Sequence, residues 1–227
     1  MLPITIVSAT RFDKDRFYVE SALGRTLAQT YPSYPTKAKI YFNNTLPLPI
    51  CFNDAIAAAA DPEEVMVFVH DDVFIVDFFW IDKLLFGFQN FDVLGLAGNT
   101  RRLPRQPSWA FVDDKLTWDT PENLSGVVGH GQQFPCQLSI YGQLGKLCKL
   151  LDGVLLAVKK STLDAGNICF DERFDFHFYD LDFCRQVEMK NLRMGTIPLG
   201  IVHQSGGNFG SPQWRMGYER YLKKWNE

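Results

Sequence analysis

The chain has no Cys-x-x-Cys pair, no Gly-x-Gly-x-x-Gly and no apolar run long enough to cross a bilayer. Its five cysteines, Cys51, Cys136, Cys148, Cys169 and Cys184, are scattered, which leaves a paired-cysteine zinc knuckle unsupported. The missing glycine motif excludes a dinucleotide oxidoreductase, whose pyrophosphate needs a glycine-rich turn after an early strand. Positive charge is not in surplus: 23 Lys and Arg stand against 26 Asp and Glu, a formal net charge of -3, so no basic face for nucleic acid is implied. The start, "MLPITIVSATRF", has neither a basic leader region nor a cleavage site and reads as a first core strand. With the unpaired thiols, this predicts a cytoplasmic protein whose cysteines stay reduced.

What is present fits one substantial core. Of 227 residues, 46% are hydrophobic and 22% charged, and neither a linker nor a repeat divides them, so a single domain over 1–227 is expected. "ITIVS" (4–8), "AKIYFNN" (38–44), "VMVFVHDD" (65–72) and "VLGLAGN" (93–99) read as strands. Helical spacing occupies 13–29, 51–60 and 78–88 between them. This alternation predicts an α/β fold with a mainly parallel central sheet and helices on both faces. Residues 100–135 mix Pro, Gly, Arg and Trp without a period and read as loops and short antiparallel strands over a site. A strand at 154–161, an amphipathic helix at 178–191, a closing strand at 194–204 and a final helix with Tyr218, Tyr221, Leu222 and Trp225 facing inward complete the expectation.

The run "VMVFVHDDVFI" (65–75) is apolar except at its centre. Charged side chains are seldom buried unless they are paired or hold a metal. Asp71 and Asp72 therefore either open a loop and cap the next helix, or face a cleft at the strand's carboxyl end and hold a divalent cation, with His70 beside them. His203, after "GIV" and before the flexible "QSGG", is either a satisfied histidine or a further ligand. Asp180 and Asp182 are two apart on their helix and do not share a face, so one can reach a cleft while the other serves structure.

The ordered series "HDD … LDG … FDERFDFHFYDLDFCRQV … VHQSGG" resembles the GT-A fold glycosyltransferases of the large inverting family, which use nucleotide-sugars. It looks closest to a bacterial branch with an HxD form of the DxD motif. The resemblance runs from "ITIVSATR" to "VHQSGG" and implies a GT-A, Rossmann-like three-layer fold with a small antiparallel addition. It implies a hexosyltransferase-like enzyme with a nucleotide-binding half over 1–99 and an acceptor and catalytic half over 100–227. Its cofactor would be Mn2+ or Mg2+, its donor a nucleotide diphosphate sugar, and its acceptor a glycan or lipid-linked hydroxyl. By motif position Asp72 and His203 become metal ligands, and His70 and Asp71 contact ribose or phosphate. Asp180 becomes the general base, and Asp152 and Gly153 lie beside the donor sugar. Ser8, Thr10, Arg11, Asn43 and Asn53 fall where such enzymes hold the nucleotide, although each also suits a turn or cap.

Two positions depart from that pattern: His70 replaces the first aspartate of DxD, and Tyr179 replaces the glutamate of the "ED" pair. They keep open a non-catalytic nucleotide-sugar or glycan-binding module. A sugar nucleotidyltransferase is disfavoured, because "SATRFDKDRF" contains no glycine for its phosphate loop. Arg101, Arg102 and Arg105 are candidates for a phosphate, Trp109 and Trp118 for stacking on a sugar, and 205–214 for a segment closing over donor. The same arginines also suit a solvated turn and the tryptophans a satellite apolar cluster. The Lys223-Lys224 pair leaves open a peripheral contact with a membrane surface.

Overall fold

The computed structural model describes residues 2–29 and 36–227. In chain order the elements are β1 (Ile4–Ala9), α1 (Lys14–Glu20), α2 (Ala22–Gln29), β2 (Thr36–Tyr41), α3 (Leu48–Ala58), β3 (Val65–Val69), β4 (Val73–Ile75) and α4 (Trp80–Gly87). They continue with β5 (Val93–Gly95), β6 (Ala97–Asn99), β7 (Leu124–His130), β8 (Gln137–Gly142), β9 (Leu147–Cys148), β10 (Leu150–Leu151), β11 (Leu155–Lys159) and α5 (Lys160–Gly166). The last are α6 (Tyr179–Met189), β12 (Met194–Thr196), β13 (Ile201–His203) and α7 (Pro212–Trp225).

A first sheet of order β2-β1-β3-β11-β5-β12-β9 forms the core. β2, β1, β3, β5 and β12 run one way, and β11 and β9 run the other. Every residue of β3 is buried, because β1 and β11 flank it and its "VMVFV" packs on both faces. A second sheet, β10-β6-β7-β13-β4 with β8 paired to β7, lies beside it. Residues 100–135, expected as loops and short strands, thus contain all of β7, which has seven residues and is central to the second sheet.

Two expected strands are each divided between the sheets. In "VLGLAGN", β5 pairs with β11 and β12, whereas β6, one residue later, pairs with β7 and β10. β12 and β13 divide the closing strand in the same way. The expected helix over 13–29 also breaks, at Ser21, whose hydroxyl donates to Phe17 O and accepts Gly24 N–H, ending α1 and starting α2. A Cβ on Gly24 would sit 1.9 Å from Phe17 O, so this close turn needs glycine.

These crossings position the site. β3 lies in the first sheet and β4 in the second, so His70, Asp71 and Asp72 occupy the short link between sheets. β13 pairs with β4 and with β7, setting His203 opposite Val73 on one side and His130 on the other. Ser211 caps α7 through Trp214 N–H, and the helix buries Tyr218, Tyr221 and Leu222 as expected, with Trp225 partly buried against the core. Among the described residues, no helix is long and apolar enough to cross a membrane.

Candidate active site

The apolar β3 ends abruptly, and the polar link after it meets the end of β13. One ligand atom from each of His70, Asp72 and His203 lies within 4.8 Å of the others. His203 Nε2 is 3.3 Å from Asp72 Oδ1 and 3.1 Å from Ser205 Oγ. Yet Asp72 Oδ1 is buried and has no hydrogen-bond partner. An anionic oxygen held out of water without a donor is costly. A cation seated between this oxygen and the two imidazoles would satisfy it, and the donor set of two nitrogens and one carboxylate fits a divalent transition metal.

Electrostatically, Asp72 and His203 act as a pair. Burial opposes the Asp72 charge, but the His203 contact overrides it and brings the carboxyl down to about 2. Burial likewise opposes the His203 charge, and Asp72 more than compensates, raising its pKa. Burial lowers the His70 pKa and keeps that ring neutral, the form that ligates metals. Its Nε2 lies 2.9 Å from the hydroxyl of Tyr179, the first residue of α6.

Asp180 follows in the same turn, which a left-handed Phe178 (φ 69°) aims at the link. Its Oδ2 accepts Gly153 N–H at 3.0 Å and its Oδ1 accepts Leu181 N–H at 2.9 Å. Burial, and then the nearby Asp152 charge, push its pKa up to about 7. Such a carboxylate is poised to take a proton near neutrality. Asp152 accepts Trp109 Nε1–H at 2.5 Å and Val154 N–H at 2.8 Å. Gly153 is tightly packed: a Cβ there would come within 2.4 Å of the Tyr179 hydroxyl.

His70, Asp152, Gly153, Asp180 and His203 open on a cleft of about 500 Å3. Its far wall is aromatic. Trp118 is 53% exposed and stacks on Tyr141 at 5.8 Å, Trp109 meets Tyr141 edge-on at 4.8 Å, and Phe209 of the glycine-rich segment meets Phe111 at 5.0 Å. All four histidines of the chain line the cleft, and no Lys or Arg does among the described residues. His130 and His177 escaped the sequence reading. His130 ends "LSGVVGH" of β7, faces His203 across the strand pair and lies 3.2 Å from the Tyr141 hydroxyl.

The other predicted residues form a separate group or stand apart. Ser8, Thr10 and Asn43 lie at the ends of β1 and β2, where Thr10 N–H donates to Tyr41 O and Asn43 N–H to Phe12 O. Asp71 is held there by a hydrogen bond with Thr10, although burial raises its pKa. The Ser8 hydroxyl is buried without a partner. Arg11 is exposed. Asn53 binds the backbone of Phe170 at both amide atoms (2.8 and 3.0 Å), a structural tie between α3 and the approach to α6.

Of the three arginines considered for phosphate, Arg105 is exposed and the other two are engaged internally. Arg101 forms a fork on the buried Asp119 (2.6 and 2.9 Å), and Arg102 pairs with Glu188 at 3.0 Å. Lys224 likewise points inward, 2.6 Å from Asp182 and 2.7 Å from Asp171.

The family described as "Glycosyltransferase like family" matches residues 38–206. No curated protein matches the chain. Among solved structures, GalNAc-T7 with UDP, GalNAc and Mn2+ is similar at TM-score 0.60 and 8% identity, over 98% of this chain and 48% of that one. S. aureus TarS 1-349 is similar at TM-score 0.51 and 15% identity, over 90% of this chain and 60% of that one. The mannosyltransferase PcManGT from Pyrobaculum calidifontis, in complex with GDP-Man and Mn2+, is similar at TM-score 0.50 and 12% identity, over 99% and 64%. The chain thus spans between about half and just under two thirds of each of these chains. At such identities the likeness bears on the fold, which is the α/β GT-A fold expected from the sequence. On the match over residues 38–206, the chain belongs to the glycosyltransferase like family.

Proposed function

We propose that this protein is a metal-dependent, inverting, hexosyltransferase-like enzyme that moves a sugar from a nucleoside diphosphate to an acceptor hydroxyl. The observation that carries the reading is the buried Asp72 Oδ1, which makes no hydrogen bond and lies among two imidazoles, at a cleft that also holds Asp180. Two structural neighbours contain Mn2+, one with UDP and GalNAc and one with GDP-Man. We assign the cation to His70, Asp72 and His203; their nitrogen-rich set favours manganese over magnesium. Bound there, the cation would supply Lewis-acid neutralisation of the departing diphosphate.

Asp180 would accept the proton of the attacking hydroxyl, and its pKa near 7 suits that role. Asp152 and Gly153 would border the donor sugar. Ser8, Thr10, Arg11, Asn43 and Asp71 would hold the nucleotide, with the free Ser8 hydroxyl as one anchor; Asn53 would act by shaping that pocket. On this reading one domain covers 1–227, with the nucleotide on the 1–99 half and the acceptor on the 100–227 half. A cleft with an exposed Trp118 face and no lining Lys or Arg favours a neutral glycan acceptor over the phosphate of a lipid carrier.

The test is a melting-temperature panel of nucleoside diphosphates and nucleotide-sugars with Mn2+, Mg2+ or chelator. A shift that needs metal and selects one nucleotide supports the reading. A shift in the absence of any metal refutes the metal assignment. Donor binding without turnover, tested with a panel of neutral glycans, points to a binding module instead.

A further inference from the structure

The two departures from the family pattern, His70 and Tyr179, are 109 residues apart and touch. We infer that Tyr179 is a positioning residue: its hydroxyl fixes the tautomer of His70 so that Nδ1 presents the lone pair to the cation. The inference rests on the metal reading above.

The argument is a count of protons. The Tyr179 hydroxyl has one hydrogen, and Gly153 O, a carbonyl that can only accept, takes it at 3.0 Å. Toward His70 Nε2, 2.9 Å away, the same oxygen must then accept. His70 therefore carries its proton on Nε2, and Nδ1 is left as the ligating nitrogen. The surroundings hold this geometry. Phe52 and Phe170 each pack 5.9 Å from the Tyr179 ring, and Phe176 lies against the His70 ring at 5.5 Å. The absence of a Cβ at Gly153 leaves room for the hydroxyl to reach the carbonyl. A carboxylate at position 70 would have no tautomer to fix, and a phenol at 179 would have no imidazole to serve. The histidine and the tyrosine thus form one unit, each giving the other its purpose.

Nitrogen-resolved NMR of the imidazoles, together with calorimetric Mn2+ titration of wild type, Tyr179→Phe, His70→Ala and the double variant, tests this. Wild type should show His70 protonated at Nε2, and Tyr179→Phe, which keeps the ring packing, should show a tautomer mixture. Tyr179→Phe should weaken Mn2+ binding about 10–100-fold, and have no further effect once His70 is alanine. Unchanged tautomer and Mn2+ affinity in Tyr179→Phe would overturn the inference, as would wild-type His70 protonated at Nδ1. If wild type shows the fixed tautomer but binds no Mn2+, the metal reading fails and the tautomer assignment stands. The wild-type spectrum decides this even if the variant folds poorly.

Discussion

Two acid-rich regions flank the first turn of α6, and they treat buried charge differently. On the side facing α7, Asp182 is fully buried, yet Lys224 Nζ lies 2.6 Å away, Trp225 Nε1–H donates at 2.9 Å and Gln186 donates at 2.8 Å. Asp171 shares the same lysine. On the cleft side, Asp180 receives only backbone N–H groups, Asp72 Oδ1 makes no hydrogen bond and has only the His203 ring 3.3 Å away, and no Lys or Arg lines the wall among the described residues. A buried carboxylate with its own ammonium is a structural tie. Acids with no Lys or Arg beside them, and only an imidazole near Asp72, leave room for a further cation. Asp180 and Asp182, two residues apart, fall on opposite sides of that division.

Exchanging each of these carboxylates for its amide should separate the two regions most sharply. Asp180→Asn should not lower the melting temperature and should keep donor affinity, but lower transfer by about 10²–10⁴-fold, the range for a lost general base. Asp182→Asn should do the reverse, losing stability while the turnover of folded enzyme stays near wild type. Turnover retained by Asp180→Asn would remove it as the base. Next in size, Asp72→Ala should eliminate the metal-dependent part of donor binding in calorimetry. Donor affinity unchanged with Mn2+ present would show that Asp72 is not a ligand.

Removing the ammonium tests the other region. Lys224→Met leaves the buried Asp182 without its cation and Asp171 with Arg173 alone, at a cost of about 3 kcal/mol. For a chain of this size that lowers the melting temperature by roughly 6–12 °C. Mn2+ affinity should stay at the wild-type value, because neither acid lies in the His70, Asp72 and His203 group. A loss of Mn2+ binding in this variant would mean that the two regions are coupled through α6.

The cleft side was more legible in the sequence than the α7 side, for a physical reason. "VMVFVHDD" announces itself, since an apolar strand that ends in three polar residues needs an explanation from within one segment. Lys224 belongs to a tail whose partners, Asp171 and Asp182, are more than 40 residues away, and a surface lysine and an inward one look alike in a helix pattern. The division of "VLGLAGN" at Leu96 was hidden in the same way. Its residues are buried throughout, so no change in polarity marks where one sheet ends and the next begins. His130 lay inside a region without apparent period, and only the pairing of β7 with β13 brings it to His203.

The mildest perturbation, pH, should still distinguish the regions because Asp180 in one and Asp171 in the other shift in opposite directions. Burial and Asp152 raise Asp180 to about 7, so a base there is mostly protonated below that value. Transfer should then fall about tenfold for each pH unit below 7, and Asp180→Asn should abolish the slope. The same shift has the opposite sign for folding: the native state holds that proton more tightly than the unfolded chain. Asp180's stabilising contribution is thus full below the ordinary aspartate range and declines as pH rises through about 7. Asp171, held below the usual carboxylate range by Arg173 and Lys224, contributes stability above that range and loses it on acidification. Rate and melting temperature measured from pH 4 to 8 should therefore diverge, the cleft gaining activity as its aspartate loses its stabilising proton. If the rate stays flat across pH 7 with chemistry limiting, the proton acceptor is a group other than Asp180.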